Sequence, residues 1–117
     1  MKDTEILKTA VKALDSKKAS KIKIIKVDDL TILANYFIIA SGTSTTQVKA
    51  LADEVDFQLS QQGLQPARTE GYQGANWIVL DYLDVVVHVF HQETRDFYDL
   101  ERLWQDGTEI SAEEFLK

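Results

Sequence analysis

The side chains best placed to do chemistry in this chain of 117 residues are two histidines, a Gly/Ser turn and a scatter of carboxylates. His88 and His91 stand three apart in V-V-V-H-V-F-H, whose β-branched and aromatic residues predict a strand. Successive strand side chains point to opposite faces, so these two imidazoles diverge and cannot chelate one metal ion. Asp81 and Asp84 flank Tyr82-Leu83, where turn carboxylates are commonly solvated. Either one beside His88 would make a base and its orienter. Neither a serine elbow nor, in a chain without cysteine, a thiol accompanies them as nucleophile. A hydrogen-bonded or surface imidazole is the simpler reading of His88.

Ser41-Gly42-Thr43-Ser44 is a small-residue turn between a strand and a helix, a place where backbone N–H groups can hold phosphate. Nucleotidyl transfer would also need two carboxylates at i, i+2 on one strand to hold its metals. The acidic pairs with that spacing, Asp3/Glu5, Glu54/Asp56 and Asp99/Glu101, all fall in predicted helices, while Asp28 and Asp29 are adjacent and would diverge. The turn lacks the lysine and glycine spacing of a P-loop. An ordinary helix cap is the expectation.

The elements that must position these residues are legible from periodicity. Ile6, Leu7, Ala10, Val11 and Leu14 recur at helical spacing over residues 4–18. Lys21–Val27 alternates lysine and isoleucine as a strand with one wet face, and Tyr36–Ala40 is an apolar run that predicts a strand covered on both sides. Val48, Leu51, Ala52, Val55 and Leu59 mark a helix from about Thr45 to Gln62, stopped by Gly63. Residues 65–69 suggest a short edge strand near Pro66. Trp77–Asp81 and Asp84–His91 read as an antiparallel hairpin. Thr94–Trp104 resumes helical spacing, with Phe97 and Trp104 expected to pack inward, and 106–117 reads as a polar tail with one helical turn. The order α-β-β-α-β-β-β-α gives one α/β (α+β) domain over residues 1–117, its core at 4–105, with a mixed sheet flanked by helices.

Composition narrows function further. A chain of this length supports one hydrophobic core, and 44% apolar with 27% charged residues is ordinary for a globular domain. The lack of cysteine removes disulfides and thiolate metal sites and fits a reducing cytoplasm. The charged, amphipathic start has no signal-peptide run, and nowhere are about 20 consecutive apolar residues available to span a membrane. Residues 1–26 carry eight lysines against three acids, whereas the rest carries five cations against sixteen acids. Most of the surface therefore repels a phosphate backbone; its acidity would attract a basic protein, although on composition alone solubility is the simpler reading. Aromatic residues cluster in the same acidic last third, and Trp77, Val79 and Asp81 must share one strand face while Ile78, Leu80 and Tyr82 share the other. Apolar residues left outside and ringed by acids are the usual anatomy of a protein-binding hot spot.

The segment Trp77–Trp104, with D-Y-L-D-V-V-V-H-V-F followed by F-Y-D-L-E-R-L-W, closely resembles the ribosomal silencing factor (Iojap-like) family. V-D-D-L-T-I-L-A-N-Y-F-I-I-A-S-G-T-S at Val27–Ser44 and A-R-T-E-G at Ala67–Gly71 support it, and the resemblance extends from the first helix to Trp104. Leu83 departs from it, standing where the family's glycine is expected in the hairpin turn. The resemblance implies a nucleotidyltransferase-like fold without catalytic carboxylates, and no cofactor, metal or enzymatic activity. It implies binding to a basic large-subunit ribosomal protein, number fourteen of that series, and steric obstruction of small-subunit joining. Homodimers are frequent in the family, and the basic first helix leaves a contact with nearby ribosomal RNA open. On this reading Trp77, Leu80, Tyr82 and Tyr98 are apolar anchors, Glu70, Asp81, Asp84, Asp99 and Glu101 meet arginines and lysines of the partner, and His88 supplies a hydrogen bond. The alternatives are a large-subunit assembly factor and a nucleotide-binding, nucleotidyltransferase-like enzyme.

Overall fold

A computed structural model describes residues 1–116. Helix α1 (Asp3–Ser16) turns Ile6, Leu7, Ala10, Val11, Ala13 and Leu14 inward, and the Glu5 carboxylate reaches back to accept from the Lys2 N–H at 3.1 Å. Helix α2 (Thr45–Gln61) begins where the Ser44 hydroxyl accepts from the Gln47 N–H at 3.1 Å, and it ends at Gly63, which takes φ +86°. Its stripe Val48, Leu51, Ala52, Val55 and Leu59 packs with α1 over one face of the sheet. Each large apolar side chain buried there contributes on the order of 1.5–3 kcal/mol.

The sheet has six strands: β1 (Ser20–Lys26), β2 (Tyr36–Gly42), β3 (Arg68–Glu70), β4 (Trp77–Asp81), β5 (Val85–His91) and β6 (Thr108–Ile110), in the order β3-β4-β5-β2-β1-β6. The β2/β5 pair is parallel and the remaining pairs are antiparallel, so the sheet is mixed. The apolar run of β2 is central and covered on both sides, as its composition predicts.

Two expectations need correction. Residues 106–117 include a strand, because Thr108–Ile110 pairs with β1 and covers its otherwise open edge before a 3₁₀ turn at Ala112–Phe115. Only Ile110 of the three is even half-buried, which leaves little apolar signal to find. The single helix expected over Thr94–Trp104 is two short ones, α3 (Gln92–Tyr98) and α4 (Leu100–Leu103), separated by Asp99 in the left-handed region at φ 49°.

The β4–β5 connection is a two-residue turn in which Leu83 holds φ 72°. A positive φ at the first central residue alone is the demand of a II′ turn, where glycine is at home. A leucine there carries about 1–2 kcal/mol of steric cost. The Asp81 carboxylate offsets part of it by accepting from the Leu83 N–H at 2.8 Å. Leu83→Gly is therefore expected to stabilise the domain by about 1 kcal/mol, read as a higher urea midpoint at unchanged m-value.

Candidate functional site

Helices α1 and α2 cover one face of the sheet, and the other face is only partly closed. Register fixes what it presents. Trp77 pairs with Phe90, Val79 with His88 and Asp81 with Val86, while Arg68 and Glu70 of β3 stand opposite Asp81 and Val79. Across the parallel pair Phe37 lies beside Val86, and Ile39 beside His88. Leu100 of α4 and Trp104 just after it pack over Ile25, Phe37, Ile39 and Phe90 at one end, with the Trp104 ring edge-on to Phe37 at 5.0 Å. Beyond that lid the face stays open.

Trp77 is the centre of this surface. It is half-buried, stacks on Phe90 at 4.8 Å and 25°, and lies 5.3 Å from the ring of Tyr98, which is 58% exposed. Its indole N–H donates to Nδ1 of His88 at 3.1 Å. That bond sets the neutral His88 tautomer, so the proton sits on Nε2, which has no hydrogen-bond partner among the described residues. Burial holds the His88 pKa down to about 4, against a smaller opposing pull from the Asp81 charge. Neither aspartate bonds the imidazole, so no base–orienter couple forms.

The residues expected on this surface divide. Trp77, Asp81, Tyr98 and His88 belong to it, and exposed Glu70 and Asp84 lie on its rim. Asp81 meets Arg68 at 3.8 Å, an exposed pair worth little energetically. Leu80 and Tyr82 do not belong. Both face α2, at 2% and 4% exposure, because strand alternation sends them to the helix-covered side. Burial pushes the Tyr82 hydroxyl pKa far up, with the Asp56 charge adding to the shift, and this phenol is not available as an anchor. Glu101 is not a free carboxylate either, since it accepts from Arg95 Nε at 2.7 Å. Asp99 is exposed at the kink. Phe97, expected inside, is 80% exposed, and Trp104 is half-buried against Phe37.

Ile32, Leu33, Leu83 and Leu103 were not legible as surface residues, yet all are strongly exposed. Leu33 and Leu83 line a shallow recess with Phe37, Asp81 and His88. The available signal was Ile32-Leu33 itself, an apolar pair in a loop with no periodic partner to bury it.

The phosphate-like turn is closed by the chain itself. Gln47 Oε1 accepts from the Thr43 N–H at 2.8 Å and lies 3.2 Å from the Thr43 hydroxyl, filling the space an anion would take at the start of α2. Among the described residues no three His, Asp or Glu side chains converge as a metal site.

A family model described as "Ribosomal silencing factor during starvation" matches residues 1–117. The chain belongs to this family. It is 40% identical over 113 residues to a ribosomal silencing factor of Halalkalibacterium halodurans, covering 97% of each chain. It is 42% identical to that of Bacillus subtilis, covering 92% of this chain and 91% of that one. A crystal structure of a Chromobacterium violaceum protein superposes with a TM-score of 0.88 at 40% identity, covering 95% of this chain and 92% of the other. For a silencing-factor chain, whose family is named for acting on ribosomes and not for an enzymatic activity, the open face is the site to explain.

That face also accounts for the glycine of A-R-T-E-G. Gly71 takes φ +78°, and a Cβ placed on it would lie 2.0 Å from the Trp77 carbonyl oxygen. Only glycine lets the loop before β4 press against Trp77.

Proposed function

We propose that this protein silences ribosomes by docking its open sheet face onto a basic large-subunit ribosomal protein, number fourteen of that series, at the surface the small subunit must approach. The observation that carries the reading is the half-buried Trp77 on the incompletely covered sheet face, flanked by exposed Leu33, Leu83, Phe97 and Tyr98 and rimmed by Glu70, Asp81 and Asp84, in a chain of the silencing-factor family. An interface of about 800 Å² per partner is the standard size for a specific complex, and a 13.3 kDa domain can supply it. The acidic rim speeds encounter with a positively charged partner, so association slows as salt rises. Obstruction needs residence alone, and no bond is made or broken.

A reconstituted subunit-joining assay tests the proposal. Saturating protein is expected to shift the subunits from joined to separate peaks in a sucrose gradient. Joining that proceeds unimpeded would overturn silencing. Retention on pre-ribosomal particles alone would instead favour the assembly-factor reading. The nucleotide-binding alternative predicts thermal stabilisation by magnesium-ATP, and the Gln47-filled turn argues for a flat response.

A further inference from the structure

The α3–α4 segment is held to the sheet by Leu100 and Trp104 at its far end and by a charged side chain at its near end. A short helix on a protein surface is ordinarily held by an apolar stripe turned to the core. Here α3 buries one residue, the charged Arg95, and α4 buries none. Phe97, Tyr98 and Leu103 point outward instead. Arg95 Nε donates to Glu101 Oε1 at 2.7 Å, while Nη1 donates to the Ser41 hydroxyl at 3.1 Å and to the Ser20 carbonyl at 3.4 Å. Ser41 is fully buried at the end of β2, and its hydroxyl lies 3.0 Å from Gln92 Oε1 of α3. The guanidinium thus joins both sides of the Asp99 kink to the sheet. Burial pushes the Glu101 pKa up, but its backbone N–H and the Arg95 hydrogen bond and charge outweigh this and hold it below the ordinary range.

We infer that Arg95 and Glu101 are positioning residues for the docking surface: their ion pair spans the Asp99 kink and fixes Tyr98 against Trp77, setting affinity for the partner without touching it. The inference rests on the docking face proposed above. Tyr98 is the last residue of α3, one position before the kink, so its ring position follows the geometry that the pair enforces. Removing the guanidinium leaves a half-buried carboxylate unpaired, and the segment relaxes toward solvent to hydrate it.

The test is a double-mutant cycle of Arg95→Met and Glu101→Gln, with affinity measured for purified bacterial large subunits and hydrogen exchange followed at the amides of 92–104. Each single variant is expected to lose tenfold or more in affinity with faster exchange confined to that segment, while the rest of the domain keeps its protection. Glu101→Gln in the Arg95→Met background is expected to cost nothing more, because the pair is already broken. Additive losses, or an affinity loss without faster exchange, mean that Glu101 meets the partner directly and overturn the inference. Should Arg95→Met fail to fold, Glu101→Gln alone decides by whether affinity and exchange change together. Trp77→Ala is run alongside. If it binds normally the docking face itself is wrong, whereas if it fails while the clamp variants bind normally only the clamp is wrong.

Discussion

Trp77→Ala is expected to weaken binding to large subunits by about 100-fold while the domain stays folded, and Tyr82→Ala is expected to do the reverse. Central aromatic residues in a protein interface cost about 2–4 kcal/mol on truncation, and 100-fold corresponds to about 2.7 kcal/mol. Trp77 is half-buried in the free protein, so its removal forfeits its contacts with Phe90 and Tyr98 and the bond to His88 but opens no closed cavity. Tyr82 sits 4% exposed under α2, and its truncation opens a cavity in the main core at a cost of about 3–5 kcal/mol. Sedimentation with large subunits and urea unfolding of both variants check the pair of outcomes. Equal loss of stability in the two would remove the distinction between the faces. Normal binding by a folded Trp77→Ala would remove the anchor.

The contrast between Trp77 and Tyr82 also marks how far the sequence carries. Strand alternation correctly separated Trp77, Val79 and Asp81 from Ile78, Leu80 and Tyr82, and that parity is the geometry of β4. What alternation does not reveal is which face the helices cover. Both faces of the hairpin are apolar, so covering is decided by long-range packing of α1 and α2, which leave no mark within the strand. Sequence alone therefore cannot assign Leu80 and Tyr82 to the side under α2 and Trp77 to the open side. The α3–α4 break was hidden differently. Phe97, Leu100 and Trp104 sit at helical spacing, and the periodicity is real, but Arg95 turns inward to Glu101 and Ser41, so part of the apolar set faces solvent. The partners that draw Arg95 onto the sheet, Ser41 and Ser20, lie 54 and 75 positions away and leave no local signature. The two main helices, the hairpin and the central strand are legible because their apolar patterns are strong, and for α2 the Ser44 cap and the Gly63 stop agree with it.

His88 gives the second large effect, and its sign follows from burial. In the unfolded chain the imidazole takes up a proton near pH 6.5, whereas in the folded protein burial holds it neutral down to about pH 4. Between those values the unfolded state binds more protons, so stability is full above pH 6.5 and falls as pH drops toward 4. The loss from this one group is about 2 kcal/mol by pH 5 and about 3 kcal/mol by pH 4. Asp81 is the charge that pulls the other way, and Arg68 at 3.8 Å from Asp81 blunts that pull. Urea unfolding between pH 7.5 and pH 5 isolates the effect, since the ordinary carboxylate range lies lower. His88→Gln, which keeps a side-chain acceptor for Trp77 but does not titrate, is expected to flatten the dependence over that interval. An unchanged slope in the variant would assign the acid sensitivity to another group. Protonation also removes the Nδ1 lone pair that accepts from the Trp77 indole, so the acid transition begins on the Trp77 side of the sheet. Exchange of the Trp77 indole proton is then expected to quicken before the amides beneath α1 and α2 open. The neutral imidazole therefore does two things at once: it lets a polar group sit in an apolar face, and it holds the indole in place on that face.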